Sequence, residues 1–440
     1  MKHIHTFYLI SFLQFLLNPI FLGAQKPNVV LIMADDLGYE CLSSNGSLSY
    51  HTPVLDSLAS NGIRFTHCIS QPMCTPSRVK IMTGLYNYQN YDYWGHLGRN
   101  EYTFAQMMKK AGYRTCIAGK WQLNGVHTKD QVSDWNDNTV PYQFGFDEYC
   151  LWQLRHRKYD GDRYSEPFIE ENGRYLEVTK DHYGPDIFSD YILDFIDKNR
   201  DQPFMVYYPM VLVHSPFVPT PESEAWTDKS RRYENDTAYF RDMVSYMDKM
   251  VGKIVHQLAK LGLDENTLVL FTGDNGTHQS IHTLTKTGKV QGGKSTTKDA
   301  GTRVPLIAYW PDQIKTGSTY EGLIEFSDFF PTLADLAGER IQTNGTSFHP
   351  LLTGQKNFQG RQTAFVHYDR NPLSKTADSK RARFVRTLDY KLYHDGRFYD
   401  LRNDVLEKNP LSDESLKAEA RDVKIFLEKE MRKHPKWVQK

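Results

Sequence analysis

Apolar residues along the chain fall into short continuous runs, and segments with an apolar position every three or four residues separate these runs. Such runs are typical of strands buried on both faces of a parallel sheet, and the intervening periodicity is typical of amphipathic helices. The predicted strands cover residues 28–34, 115–118, 204–213, 267–272 and 305–310, and the predicted helices cover residues 53–61, 103–111, 185–198 and 237–261. Strands that alternate with helices predict an α/β fold, in which helices sandwich a mostly parallel central sheet.

The pattern changes near residue 344, where short alternating segments replace the long apolar runs. These segments cover residues 363–368, 382–387, 390–394 and 397–400, and a charged helical pattern covers residues 412–432. We therefore predict a main α/β domain over residues 25–343. A smaller C-terminal α+β subdomain over residues 344–440 is predicted to hold an antiparallel sheet and a terminal helix.

The first 24 residues have the organisation of a signal peptide. A basic start at Lys2 is followed by an apolar stretch over residues 7–22 and by the small residues Gly23 and Ala24. Polar residues and a proline interrupt the apolar stretch, so it is a poor membrane span. We predict an exported protein, periplasmic or secreted, without stable membrane insertion, and an uncleaved anchor is the alternative.

Composition excludes some partners without choosing a function. Lys and Arg together number 53, as do Asp and Glu, so no global field recruits nucleic acid or an anionic membrane. Aromatic residues make up 13 % of the chain, which suits a packed core and equally suits a surface that stacks on sugars. Attraction of an anionic substrate must therefore be local.

Polar residues with ligating or catalytic chemistry follow four of the predicted strands. They are Asp35 and Asp36 after the first strand, Lys120 after the second, His214 after the third, and Asp274 and Asn275 after the fourth. In open α/β sheets, ligands bind beyond the carboxyl ends of the strands. The four strand ends therefore predict one shared site.

Asp35, Asp36, Asp274 and Asn275 offer only oxygen atoms as metal ligands. Three carboxylates and an amide carbonyl suit a hard divalent cation, and calcium is favoured over magnesium where protein ligands are numerous. Without a cation, three adjacent carboxylates would repel one another. Strand-end turns are the alternative explanation, since Asp, Asn and Gly are common there, but both motifs together after buried strands favour a metal site.

A short run at residues 74–78, with the sequence CTPSR, combines a cysteine, a proline and an arginine. Proline suits the first turn of a helix, so Cys74 is predicted to lie at a helix N-terminus. Backbone N–H groups and the helix dipole favour an anion at such a position, and Arg78 adds a fixed positive charge.

This run resembles the C-x-P-S-R signature of type I sulfatases, the formylglycine-dependent family of the alkaline-phosphatase superfamily. Further segments resemble motifs of the same family: its first strand and metal pair at 27–36, its Gly-Lys-Trp motif at 119–121, its His-x-Pro-Phe motif at 214–217, its second metal motif at 271–276, and its second lysine with the Gly-x-Arg-Val-Pro segment at Lys294 and 301–305. The resemblance covers residues 27–311, and the chain is similar to bacterial carbohydrate sulfatases.

The resemblance implies that Cys74 is converted to formylglycine by a formylglycine-generating or sulfatase-maturating enzyme. In this family one hydroxyl of the hydrated aldehyde attacks sulfur, and the other then expels sulfate. The resemblance further implies that one Ca²⁺ is bound by residue 74 together with Asp35, Asp36, Asp274 and Asn275.

The resemblance also assigns roles to the remaining motif residues. Arg78 would hold the hydrate and stabilise its alkoxide, and Lys120 and Lys294 would stabilise charge on the sulfate oxygens. His214 would be a general acid for the departing sugar oxygen. The implied substrate is a sulfated sugar or polysaccharide fragment.

Gln122 departs from the family pattern, which usually has a histidine after Lys-Trp. Glutamine donates and accepts hydrogen bonds, but it does not accept a proton near neutral pH. The usual histidine is thought to help release sulfate from the intermediate. His278 and His282, just past the second metal motif, are candidate replacement bases.

Sugar-binding residues are expected among aromatic and basic side chains outside the motifs, because such side chains stack on sugars and bind anions. The candidates are Trp94, His96, Arg155 and His156, with Gln122 and His278 as further substrate contacts. Ordinary packing in the core or in loops is the alternative for each aromatic residue.

Two other functions stay open at this point. A phosphatase or phosphodiesterase of the same superfamily shares the sheet, but those enzymes typically use Ser or Thr and two zinc ions with histidine-rich ligands. A non-catalytic protein that binds sulfated glycans is the second alternative, for which Gln122 is the one hint. The presence of Cys74 and Arg78 argues against it, because a binding protein has no need of the modification motif.

The five cysteines, at 41, 68, 74, 116 and 150, are an odd number for an exported protein. With Cys74 modified, four cysteines remain, and these form either two disulfides or buried thiols.

Overall fold

The computed structural model of the chain describes residues 26–125, 134–154, 162–355, 358–374 and 379–437. The predicted signal peptide, Arg155 and His156 lie outside these residues. The strands are β1 (Asn28–Ala34), β2 (Ile63–Ile69), β3 (Arg114–Lys120), β4 (Glu148–Trp152), β5 (Ile169–Glu171), β6 (Arg174–Tyr175), β7 (Phe204–Pro209), β8 (Thr267–Gly273), β9 (His282–Thr285), β10 (Gly288–Gln291), β11 (Arg303–Tyr309), β12 (Ser318–Glu325), β13 (Ala364–Tyr368), β14 (Ala382–Arg386), β15 (Tyr390–Tyr393) and β16 (Phe398–Asp400).

Helices of different lengths connect and cover these strands. The α-helices are α1 (Pro53–Ser60), α2 (Cys74–Thr83), α3 (Asn87–Asn90), α4 (Phe104–Lys110), α5 (Val140–Gln143), α6 (Gly184–Lys198), α7 (Phe240–Lys260), α8 (Asp299–Thr302), α9 (Phe329–Ala337), α10 (His349–Leu352) and α11 (Ala418–Arg432). Short 3₁₀ helices cover Tyr39–Cys41, Ser43–Asn45, Glu224–Thr227, Thr237–Tyr239, Phe326–Asp328 and Asp413–Ser415.

The central sheet has ten strands in the order β12-β2-β11-β8-β1-β7-β3-β4-β5-β6. The five strands β8-β1-β7-β3-β4 in its middle run parallel to one another, which confirms the predicted mostly parallel α/β sheet. The strand predicted at 305–310 belongs to this sheet as β11, but it runs antiparallel to both β2 and β8. Its apolar run shows burial on both faces, which does not determine strand direction.

Helices cover both faces of the sheet and create two apolar layers. On β1, Val29, Leu31 and Met33 point into one layer, while Val30 and Ile32 point into the other. Both faces of the strand are therefore buried, which explains why its sequence is continuously apolar rather than alternating. The first layer contains side chains of α2, α4 and α9, and the second contains side chains of α1, α6 and α7.

A second sheet lies in the C-terminal part of the chain, as predicted. Its four antiparallel strands follow the order β13-β14-β15-β16, and α11 packs against β14 and β15. The predicted small antiparallel sheet and terminal helix of the C-terminal α+β part are therefore confirmed.

Buried charged groups join the C-terminal sheet to the segment around α8. Lys391 Nζ on β15 donates hydrogen bonds to Glu407 Oε1 (2.8 Å) and to the carbonyl oxygen of Thr297 (2.6 Å). Glu407 Oε1 also accepts from the backbone N–H of Asp299 (2.9 Å), and Arg386 Nη1 donates to Asp299 Oδ1 (2.6 Å). Burial raises the pKa of Asp299, but the charges of Arg386 and Lys391 outweigh it and lower the pKa to about 2. The segment between Lys294 and α8 is thus fixed from the C-terminal side.

We expect the Glu407→Gln variant to lose about 3–5 kcal/mol of unfolding free energy, because it leaves the buried Lys391 ammonium without its carboxylate. Chemical denaturation monitored by circular dichroism measures this loss. Glu414→Gln removes a carboxylate from an exposed position and should change stability by no more than about 0.5 kcal/mol. Equal effects in the two variants would contradict a role for the buried charges.

All five cysteines are buried and free, so the two-disulfide alternative does not hold in this structure. Within the described ranges, no helix has both the length and the apolar character needed to cross a membrane.

Candidate active site

The four polar strand ends meet at one edge of the central sheet. Asp35 and Asp36 follow β1, and Asp274 and Asn275 follow β8, the parallel neighbour of β1. Lys120 ends β3, and His214 comes five residues after β7, which lies between β1 and β3. The helix α2 begins at Cys74, as predicted from its proline, and brings the cysteine to the same edge.

The acidic side chains form a tightly connected group. Ligand atoms of Asp35, Cys74 and Asp274 lie within 4.8 Å of one another, and so do those of Asp35, Asp36 and His214. Asp36 has a left-handed backbone with φ of 60°, and its N–H donates to Asp274 Oδ1 (2.9 Å). Asn275 Nδ2 donates to Asp36 Oδ1 (2.9 Å) and orients the amide in the group.

Two oxygen atoms in this group are buried and have no hydrogen-bond partner within the part of the chain that the structure describes. They are Asp35 Oδ1 and Asn275 Oδ1. A buried acceptor without a partner is costly, and such atoms in native proteins commonly point to an ion or water. Carboxylate and amide oxygens are the ligands that a hard divalent cation prefers, so these residues fit a calcium ion.

The pKa values of the carboxylates differ according to their neighbours. Burial raises the pKa of Asp274 well above its usual range, and the nearby charges of Asp35 and Cys74 raise it further. Burial also raises the pKa of Asp35, but the positive charges of Lys120 and Lys294 outweigh it and hold the pKa below its usual range. The lysines therefore balance part of the negative charge, and a further cation beside Asp274 would favour its ionised form.

Two lysines and a histidine face the carboxylates. Lys120 Nζ donates to Asp35 Oδ2 (2.6 Å), and Lys294 Nζ donates to Asp36 Oδ2 (2.5 Å). Lys294 Nζ also donates to His214 Nε2 (2.8 Å). Burial and the Lys294 charge lower the pKa of His214 to about 3, although the Asp36 charge opposes them, so this imidazole is neutral at pH 7.

Side chains of α2 connect the helix that begins at Cys74 to the segments that carry Asp274 and Lys120. Ser77 Oγ donates to the carbonyl oxygen of Asp274 (2.6 Å). Arg78 Nε donates to the carbonyl oxygen of Cys74 (3.2 Å), and its Nη1 donates to the carbonyl oxygen of Trp121, next to Lys120. Arg78 Nη2 is buried and has no hydrogen-bond partner in the described ranges, so it is available to an anion beside Cys74.

Gln122 is buried and forms an amide pair with a second glutamine. Its Nε2 donates to Gln153 Oε1 (2.6 Å), and its backbone N–H donates to the carbonyl oxygen of Gln153 (2.6 Å). Both residues have left-handed backbones, with φ of 46° and 49°. The sequence gives no sign of Gln153, since only the parallel pairing of β3 with β4 brings the two residues together.

Two of the candidates for sugar binding, Trp94 and His96, have ordinary packing contacts in this structure. Trp94 lies beneath the Arg370 guanidinium, 5.1 Å from the ring centroid, and His96 stacks on Tyr93 with centroids 4.5 Å apart. Burial and the charge of Arg99 lower the pKa of His96 to about 4.

The two histidines past the second metal motif lie on different surroundings. His278 Nδ1 is 2.8 Å from Ser280 Oγ, its ring packs edge-on against Phe217, and burial and the Lys294 charge lower its pKa. His282 is exposed on β9.

Arg163 is a cation of this site that sequence reasoning missed. Its Nη1 lies 3.9 Å from Asp35 Oδ2, and its guanidinium lies 4.0 Å from the centroid of the Trp152 ring. Arg163 lies outside every regular element, and no motif surrounds it, so only the folded chain shows its proximity to Asp35.

Two family models match the chain. The model described as Sulfatase matches residues 27–339, and the model described as N-sulphoglucosamine sulphohydrolase, C-terminal, matches residues 293–436. The chain is 32 % identical to human arylsulfatase A over 78 % of this chain and 71 % of that protein. It is 23 % identical to N-acetylglucosamine-6-O-sulfatase of Bacteroides thetaiotaomicron over 89 % of this chain and 84 % of that protein.

Solved structures with the same fold come from more than one kind of hydrolase. A protein solved with its substrate D-glucosamine-2-N,6-O-disulfate has a TM-score of 0.74 and 23 % identity over 93 % of this chain and 98 % of that chain. Phosphonate monoester hydrolase of Agrobacterium radiobacter has a TM-score of 0.67 and 19 % identity over 93 % of this chain and 95 % of that chain. The fold alone therefore does not distinguish sulfate from phosphonate chemistry. The Sulfatase model covers most of the chain, and the named relatives are sulfatases; the chain belongs to the sulfatase family and is a sulfuric ester hydrolase.

Proposed function

We propose that the chain hydrolyses sulfate esters on a sugar or polysaccharide fragment, using formylglycine made from Cys74 and one bound Ca²⁺. The observation that supports this most strongly is the convergence of Cys74, Asp35 and Asp274 within 4.8 Å, with two lysines paired to the same acidic group. We further propose that residues 25–343 form the catalytic domain and residues 344–440 the C-terminal subdomain.

The nucleophile in this proposal comes from Cys74. Formylglycine would supply a hydrated aldehyde with two hydroxyls: one attacks sulfur, and the other can expel sulfate by restoring the aldehyde, a release step that a thiol does not offer. Arg78 holds the Cys74 backbone through Nε, and its unpartnered Nη2 is placed to donate to an oxygen on the modified side chain. Conversion requires a formylglycine-generating or sulfatase-maturating enzyme, which acts on the exported protein or its precursor.

The metal ligands in this proposal are Asp35, Asp36, Asp274, Asn275 and the modified residue 74. A bound Ca²⁺ would supply positive charge that polarises a sulfate oxygen and orients the sulfur toward the nucleophile. The unpartnered Asp35 Oδ1 and Asn275 Oδ1 support this ligand set, because both oxygens would gain the partner they need.

Lys120 and Lys294 would stabilise negative charge on the sulfate oxygens, and His214 would take part in protonating the leaving group. The two ammonium groups donate to carboxylates here and are placed to donate to sulfate oxygens once a cation takes over those carboxylates. His214 Nε2 and Lys294 Nζ share a hydrogen bond (2.8 Å), and this pair is the proposed source of the proton for the leaving sugar oxygen.

A sugar is the proposed substrate because of the named relatives and the predicted export. The Bacteroides thetaiotaomicron relative is named for N-acetylglucosamine 6-O-sulfate, and the solved structure above was determined with a disulfated glucosamine. Candidate sugar contacts are Trp94, His96 and Gln122, as well as Arg155, His156 and His278.

A panel of substrates tests this function. The matured protein should release sulfate from sulfated mono- and disaccharides in the presence of Ca²⁺, and release of phosphate from p-nitrophenyl phosphate should be slower by orders of magnitude. Faster phosphate release would establish the phosphatase alternative. Binding of sulfated sugars without turnover by protein whose Cys74 is fully converted would establish the non-catalytic alternative.

Replacement of Gln122 by histidine should restore the base that most of the family has. We expect kcat of the Gln122→His variant to rise several-fold, with a new ionisation near pH 6.5, above which the neutral imidazole accepts a proton. Histidine is among the residues that tolerate a left-handed backbone, so the substitution fits the φ of 46°. A pH profile of kcat measures the effect, and a Gln153→His variant is the matched control. A fall in kcat without a new ionisation would contradict the prediction.

A further inference from the structure

Arg163 reaches the acidic group from the opposite face of the sheet to Cys74. Trp152, which stacks with Arg163, belongs to the apolar layer that contains α6 and α7. Val79 and Ile81 of α2, the helix that carries Cys74, belong to the other layer. The Arg163 guanidinium and the Cys74 side chain therefore approach Asp35 from different faces of the sheet.

The backbone around Arg163 is fixed by three contacts. The hydroxyl of Tyr164 donates to the carbonyl oxygens of Val211 (2.9 Å) and His214. The N–H of Gly184 donates to the carbonyl oxygen of Tyr164 (2.8 Å), and a Cβ at Gly184 would lie only 2.0 Å from the carbonyl oxygen of Arg163. A segment held this closely keeps the Arg163 side chain in one place beside the site.

The Arg163 guanidinium is close to the acidic group without being bonded to it. Asp35 Oδ2 already accepts a hydrogen bond from Lys120 at 2.6 Å, whereas Arg163 Nη1 is 3.9 Å away, beyond hydrogen-bond distance. Nη1 is buried, and it has no hydrogen-bond partner among the described residues. A buried charged donor without a partner is costly, which points to a ligand that supplies the acceptor.

An anion is the ligand that a guanidinium binds best, because its donors match the two oxygens of a carboxylate or sulfate. Lys120, Lys294 and Arg78 already surround the position proposed for the transferred sulfate. We infer that Arg163 binds a second anionic group of the substrate, a carboxylate or a second sulfate on the same sugar or its neighbour. This inference rests on the proposed sulfatase function and narrows its substrate class to sugars with at least two negative charges.

Binding measurements test this inference without turnover. In protein with Cys74→Ala and bound Ca²⁺, isothermal titration calorimetry compares glucosamine 6-O-sulfate with glucosamine-2-N,6-O-disulfate and with a uronate-containing disaccharide that carries the same 6-O-sulfate. We expect at least one dianionic probe to bind more tightly than the monosulfate. Arg163→Gln should reduce that preference by about 10- to 100-fold, the usual worth of a hydrogen bond between charged groups. The probe that loses its preference identifies sulfate or carboxylate as the second anion.

Arg232→Gln is the matched control, because Arg232 stacks on Trp226 at 4.1 Å as Arg163 stacks on Trp152, and its bonds go to Trp226, Lys180 and Asp181. This variant should keep the preference. The inference is overturned if Arg163→Gln weakens the monosulfate and dianionic probes equally, or if neither dianionic probe is preferred by the protein that keeps Arg163. Failure of the proposed function gives a different result, namely no sulfate release from any probe by protein whose Cys74 is fully converted to formylglycine.

Discussion

We expect the Cys74→Ala variant to lose sulfatase turnover by a factor on the order of 10⁴ or more, the range seen when a covalent nucleophile is removed. The variant lacks the thiol that a maturation enzyme would oxidise, so its Cβ cannot become the aldehyde carbon of formylglycine. Its fold should persist, because Cys74 is the first residue of α2, and the bond from Ser77 to the Asp274 carbonyl holds the helix in place. Sulfate release measured by ion chromatography, with circular dichroism as a check on folding, tests the expectation.

Cys116→Ala is the matched control for this variant. Cys116 is also a fully buried thiol, but it lies within β3 and packs in the layer of α6 and α7. The control should cost about 1–3 kcal/mol of stability for the lost side-chain volume and keep its turnover. Turnover above a tenth of the wild-type rate in Cys74→Ala would show that another residue is the nucleophile.

Removal of the metal should have the second-largest effect. We expect exhaustive dialysis against a chelator to reduce turnover by about 10³-fold or more. Loss of a Lewis acid that stabilises charge in the transition state reduces the rate by about this factor. Calcium should restore turnover better than magnesium, because the site offers many protein oxygens. Calcium at 100 times its Kd should also raise the unfolding free energy by about 2.7 kcal/mol, which differential scanning calorimetry measures without substrate.

Asp274→Asn and Asp248→Asn separate the metal effect from a general loss of stability. Asp274 belongs to the proposed ligand set, whereas Asp248 is an equally buried carboxylate that accepts from the N–H groups of Val54 and Leu55 at the start of α1. Both variants should be less stable, but only Asp274→Asn should lose the calcium-dependent rise in stability. A rise that persists in Asp274→Asn would place the ion elsewhere.

The central part of the fold could be predicted from sequence because both faces of its strands are buried. The bounds predicted for β1, 28–34, agree with the structure, since Val30 and Ile32 enter one apolar layer and Val29 and Leu31 the other. The same parallel arrangement brings the strand ends to one edge. Asp36 and Asp274 therefore meet although they lie 238 positions apart in the sequence.

The features that sequence reasoning missed depend on contacts between distant segments. The strand β2 has a weak sequence pattern, because several of its side chains are only partly buried. Its two partner strands, β11 and β12, come much later in the chain. The direction of β11, the pairing of Gln122 with Gln153, and the approach of Arg163 to Asp35 follow from the packing of strands and loops. No local pattern of residue types encodes them.

The position of Lys294 illustrates a site residue whose support lies in another sheet. A motif identifies the lysine, but the buried pair of Lys391 and Glu407 fixes the segment that follows it. From the sequence, Lys391 and Glu407 are expected on the exposed surface, because Lys and Glu are rarely fully buried unless they are paired.

Peptide mass spectrometry across residues 74–78 tests directly whether Cys74 becomes the formylglycine nucleophile. The protein is purified from its native host in an actively sulfate-releasing state, and the peptide that contains Cys74 is compared with the same peptide from a host without a maturation enzyme. We predict that the peptide shows the mass loss that accompanies conversion of the thiomethyl side chain to an aldehyde. The converted fraction of molecules should be proportional to the specific activity of the preparation. An unmodified cysteine throughout a fully active preparation would contradict it.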